Sequence, residues 1–78
     1  MEIPAMKTWN EKRLVDEVID AYVDWREECA EVQDAYRRWT QASVADAELA
    51  FSGYRAALDR EESASRAYAA CVAQPWPR

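Results

Sequence analysis

The sequence predicts an all-α chain, with two long helices folded back as an antiparallel hairpin over about residues 10–41 and 44–73. It further predicts that the hairpin pairs with a second copy into a homodimeric four-helix bundle. Three observations carry this. Helix breakers are confined to the ends apart from the single glycine, Gly53, since the prolines are Pro4, Pro75 and Pro77. Apolar residues recur at alternating spacings of three and four, the mark of an amphipathic helix. The two periodic stretches are out of phase, so one straight helix does not satisfy both.

The first stretch runs through Val15, Val18, Tyr22, Trp25, Cys29, Val32, Tyr36 and Trp39. Val15, Tyr22, Cys29 and Tyr36 take the a positions of a heptad, and Val18, Trp25, Val32 and Trp39 the d positions. Leu14, Ile19, Val23 and Ala30 widen the stripe beyond what one neighbouring helix covers. The second stretch is Val44, Ala47, Phe51, Tyr54, Leu58, Glu61, Ser65, Tyr68 and Val72. Beside it runs a row of small residues, Ala50, Ala57, Ala64 and Cys71, one heptad apart, which lets another helix approach closely. Alanine, glutamate, arginine and leucine, all good helix formers, fill much of both stretches.

The turn is expected at Thr40-Gln41-Ala42-Ser43, with Ser43 capping the second helix and Asp46 completing a capping-box-like pattern. A single helix with a one-residue skip, or a turn near Gly53, are the other readings. Pro75 disfavours helix at the residue before it, so the second helix should end near Ala73-Gln74. The domain is then 9–74, after an irregular segment 1–8 and before an extended tail 75–78. Folding at 40–43 sets Tyr36 against Ala47, Cys29 near Tyr54, Val15 near Tyr68 and Tyr22 opposite Glu61. Cys29 and Cys71 would then lie about 16 residues apart, more than 20 Å at ~1.5 Å per residue. That is beyond the roughly 7 Å reach of a disulfide. Both cysteines read as small packing residues.

A chain of 78 residues buries a modest core and needs a staple, a metal or a partner. Wide apolar stripes with four tryptophans, four tyrosines and Phe51 point to a partner, and a second copy is the commonest. The expected core and dimer interface is therefore Val15, Val18, Ile19, Tyr22, Trp25, Cys29, Val32, Tyr36, Trp39, Phe51, Tyr54, Leu58 and Tyr68. Trp9 and Trp76 lie off both seams, as end plugs or as anchors for another protein.

The net charge of −5 argues against nucleic acid and anionic membranes as partners, because both select clustered Lys and Arg. No apolar run approaches a membrane span. The N-terminus lacks a basic start followed by an apolar core, so no signal peptide is expected and cytoplasm is the default location. There is no histidine, which removes the commonest general base and neutral metal ligand together. One glycine does not make a phosphate-cradling loop. The chain therefore reads as a non-enzymatic interaction module with no cofactor and no metal.

Two features keep other readings open. Glu61 is the one ionisable residue on a seam. It is either a register-fixing partner of a Tyr22 or Tyr54 hydroxyl, the Trp25 indole or Arg26, or the polar centre of a ligand- or metal-binding bundle. Glu17, Asp20, Asp24, Glu27, Glu31 and Asp34 form an acidic stripe along the first helix. This is a solvated face or a docking surface for a basic partner. Carboxylates along a straight helix do not converge into a calcium loop.

A small acidic hairpin with Trp39 beside its turn resembles the WXG100 secreted proteins in architecture. That family's turn carries glycine two residues after the tryptophan, where this chain has Gln41. Its C-terminal signal places an acidic residue four after a tyrosine, where Tyr54 is followed by Leu58 and Tyr68 by Val72. The resemblance implies a hairpin and carries no function across.

Overall fold

A computed structural model of the chain describes residues 3–75, with side chains from residue 11 to 75. Two helices make up the described chain, α1 (Ile3–Thr40) and α2 (Ala47–Ala73), and they pack against each other as an antiparallel hairpin. The Cα trace is a rod with extents of 69 × 14 × 11 Å.

The helix termini differ from the expected ones, each for a local reason. α1 already begins at Ile3, so the irregular segment expected over 1–8 is helical from there. Pro4 is compatible with this because a first-turn residue has no intrahelical acceptor for the N–H that proline lacks. At the other end Arg37 and Arg38 stand in the last turn, where cations complement the helix dipole. Thr40 Oγ1 donates to the Arg37 carbonyl at 3.0 Å, and Gln41 N–H to the same carbonyl at 3.1 Å.

The turn then takes residues 41–46. Ser43 does not cap α2, which starts at Ala47. It instead closes a turn with Asp46, whose N–H bonds the Ser43 carbonyl at 3.0 Å while the Ser43 hydroxyl donates to Asp46 Oδ2 at 3.2 Å. The paired chemistry of a capping box is present, but it acts one step ahead of the helix. α2 ends at Ala73. Gln74 is extended at φ −64°, ψ 141°, as expected before Pro75. Trp76 and the tail beyond it, and the Trp9 side chain, lie outside the described residues.

The longer turn resets the register. Tyr36 meets Tyr54 at 5.6 Å between ring centroids rather than Ala47, and Tyr22 meets Tyr68 at 5.6 Å rather than lying opposite Glu61. Glu28 pairs with Arg60, where a turn at 40–43 would set it near Arg55, so the backbone register is shifted by about five residues along α2.

Only Ala35 (5% exposed) and Ala57 (0%) are fully buried among the described residues. The row facing α1 is the small-residue row, Ala50, Ala57, Ala64 and Cys71, together with Tyr54, Glu61 and Tyr68. On α1 the d residues Val18, Trp25, Val32 and Trp39 turn inward and are half-buried. Of the a residues only Cys29 joins them, half-buried, while Val15, Tyr22 and Tyr36 are 42%, 45% and 50% exposed. One packed neighbour covers only about half of a stripe this wide.

Candidate functional site

The inward rows build two nearly identical aromatic clusters. In one, Trp25 stacks on Tyr68 (5.5 Å, 10° between planes) while Tyr22 tilts against both rings, at 6.1 and 5.6 Å. In the other, Trp39 stacks on Tyr54 (5.5 Å, 17°) while Tyr36 tilts against both, at 6.0 and 5.6 Å. Phe51 adds a contact to Trp39 at 4.8 Å. The clusters repeat because each pair of equivalent residues is two heptads apart on its own helix. Tilted and offset rings are the geometries aromatic quadrupoles favour, worth roughly 0.5–1.5 kcal/mol per pair beyond area burial.

Between the clusters lies a slimmer level, with Cys29 and Val32 on α1 and Glu61 on α2. Glu61 Oε2 accepts a hydrogen bond from the Trp25 indole N–H at 2.7 Å. Of the partners considered for this carboxylate, the structure selects the indole. The bond joins residues far apart in sequence and ties one aromatic cluster to the middle of the rod. Cys29 and Cys71 are both free thiols.

Beside this seam the hairpin has two broad faces of opposite character. On the first, α1 contributes Val15, Tyr22, Cys29 and Tyr36, flanked by Lys12, Ile19, Arg26, Gln33 and Thr40. α2 contributes Phe51, Leu58, Ser65 and Val72, flanked by Glu48, Arg55, Glu62 and Ala69. Residues seven apart keep to one side of a gently coiled helix, and the Tyr22–Tyr68, Tyr36–Tyr54 and Trp39–Phe51 contacts set the two rows side by side. Ile19 (53% exposed), Phe51 (38%), Leu58 (38%) and Val72 (50%) stand out from this aromatic face. A groove on it is lined by Val32, Gln33, Tyr36, Arg37, Thr40 and Tyr54.

The second face carries the acidic stripe. Glu17, Asp20, Asp24, Glu27, Glu31 and Asp34 all project from the side of α1 opposite its aromatic row. On α2 the matching side is mostly small and polar, with Gly53, Ala56, Arg60, Ser63 and Ala67, and it carries one exposed large apolar residue, Leu49. One ion pair bridges the helices here, Arg60 Nε to Glu28 Oε1 at 3.4 Å, and Arg37 pairs with Asp34 at 2.8 Å. Both pairs are solvent-exposed and contribute little to stability. Shallow grooves beside Asp24, Glu27 and Ala64, and beside Arg38, Leu49 and Gly53, follow this face.

Sequence reasoning found every member of the aromatic clusters and missed Ala35 as a core residue. Its signal was available: Ala21 and Ala35 are two heptads apart beside the d row, as the alanines of α2 are beside theirs. Among the described residues, no group of three or more His, Cys, Asp or Glu side chains is placed to hold a metal ion. No described helix is long and apolar enough to cross a membrane. No protein-family model matches this chain, and no curated protein or solved structure matches it either.

Proposed function

We propose that this chain is a non-enzymatic helical interaction module that pairs through its aromatic face into a homodimeric four-helix bundle, with its acidic face turned outward. The observation that carries the reading is the exposure, on one face, of Val15, Ile19, Tyr22, Tyr36, Phe51, Leu58 and Val72. Two buried alanines are a small core for two helices this long. Helices in water draw most of their stability from packing an apolar face, and among the described residues nothing covers this one. A second hairpin laid on it gives the layered packing of a four-helix bundle.

The acidic face is a poor site for self-pairing, because it would set rows of like charge together. Left outward, it is the surface we assign to a basic protein partner. Sedimentation equilibrium under reducing conditions, across a concentration series, tests the pairing. A reversible monomer–dimer equilibrium is the expected result. A helical chain that stays monomeric at every concentration overturns it.

A further inference from the structure

We infer that the two hairpins pair with their turns at the same end of the bundle, so that α1 of each copy lies on α2 of the other. This rests on the homodimer proposed above and fixes its geometry. Two arrangements bring aromatic face to aromatic face. A two-fold axis along the rod sets α1 on the second copy's α2 and keeps every residue at its own level. A two-fold axis across the rod sets α1 on α1 and α2 on α2, with the turns at opposite ends.

Levels within one hairpin follow from its contacts. Arg60 pairs with Glu28 across the helices, and in an antiparallel pair each step back on α1 is a step forward on α2, so Arg26 and Glu62 stand level. The same count sets Ile19 level with Ala69 and Gln33 level with Arg55. An axis along the rod therefore places Arg26 of one copy beside Glu62 of the other, Ile19 beside Ala69 and Gln33 beside Arg55. Charge meets opposite charge, apolar meets apolar, and an amide meets a guanidinium. Cys29, at the slim level, comes to Leu58 of the second copy.

The crossed arrangement is worse on the same residues. The two aromatic clusters lie symmetrically about the Cys29–Glu61 level, so matching cluster to cluster puts the axis there. Glu62 then meets Glu62 of the second copy, and Arg26 meets Gln33 with no carboxylate in reach. Glu62 already holds Arg66 on its own helix at 2.9 Å. Arg26 has no ion-pair partner in its own hairpin among the described residues, which leaves it available across the interface.

The test places one spin label per chain in the turn, as Val44→Cys with Cys29→Ala and Cys71→Ala. Val44 is 97% exposed, so the label disturbs no packing. Pulsed dipolar spectroscopy on the dimer should give a separation under about 30 Å, since neighbouring helices lie ~10 Å apart. About 45 Å would overturn this geometry and leave the dimer standing, because the turns would be about 29 residues of helix apart at ~1.5 Å each. A chain that sediments as a monomer would overturn both.

Glu62→Arg in the native background is an independent check. It should weaken dimerisation by roughly tenfold, with Arg26→Glu in the same chain restoring it, as expected for two partly exposed pairs turned repulsive. Glu62→Gln should weaken dimerisation by less; if it tightened instead, the change would have removed a like-charge contact of Glu62 with Glu62, and the inference would fail.

Discussion

The two broad faces of this hairpin are cut from the same pair of helices, yet they have opposite chemistry. The aromatic face exposes large apolar side chains in two central rows, flanked by two rows of mostly charged and polar residues. The acidic face sets six carboxylates on α1 against glycine, alanine and serine on α2. Both flank one narrow seam whose fully buried members are two alanines. The seam brings the helices together, and the flanks decide what the assembled rod can touch. A helix pair with a slim seam keeps its bulky residues for its surroundings.

The sharpest way to break that comparison is at the seam. Ala57 has no exposed surface and lies in the small-residue row that faces α1. Ala57→Leu forces the helices apart and should cost about 2–3 kcal/mol, as overpacking does. The check is a circular-dichroism melt, which should show a large fall in midpoint. If the melt is unchanged, the close approach of α1 and α2 is wrong.

Next in size is a matched pair of substitutions, one on each face of α2. Leu58→Asp on the aromatic face should weaken dimerisation by about 2 kcal/mol, the scale of a central interface residue. Ala56→Asp on the acidic face should leave the dimer constant within about twofold, as surface changes usually do. Sedimentation of the two variants side by side reads out the difference directly. Equal losses from both would mean that the faces are not functionally distinct.

Smaller effects sharpen the picture of the seam. Trp25→Phe removes the indole donor to Glu61 and should cost roughly 1 kcal/mol by thermal melt, at the modest end for a charge-assisted bond because the site is only part-buried. Glu61→Gln keeps an acceptor oxygen and should cost less. A larger loss for Glu61→Gln than for Trp25→Phe would show that the carboxylate has another role.

Smallest is Gly53, a mid-helix glycine on the acidic face. A Cβ there meets nothing within 4 Å, and its φ is not positive. Gly53→Ala should therefore stabilise the chain by about 0.5–1 kcal/mol. A loss instead would mean that something packs closely on that face.

Much of this was legible from residue order because heptad spacing reports which residues share a side of a helix. The paired seams, the turn between them, the stop at Pro75 and the separation of the acidic stripe from the aromatic row all follow from it. The register was not legible. Two helices with matching stripes can slide along each other, and turn length fixes where they stop. Here Ser43 and Asp46 spend their hydrogen bonds on a turn ahead of α2, which moves Tyr54 rather than Ala47 onto Tyr36. The choice of inward row was not legible either. Phe51 and Leu58 are the more hydrophobic candidates, yet the adjacent Ala57 row is buried, because close helix approach selects small side chains.

The sequence by itself determined two amphipathic helices, their polarity, and a chemistry lacking histidine and holding one isolated glycine. Those are properties of local propensity and periodicity, written residue by residue. Tertiary structure alone decided that Trp25 reaches Glu61, that two alanines form the core, and that seven bulky side chains are left on one face. These depend on where two distant segments meet, and a repeating pattern is degenerate to that choice until a turn of definite length fixes it.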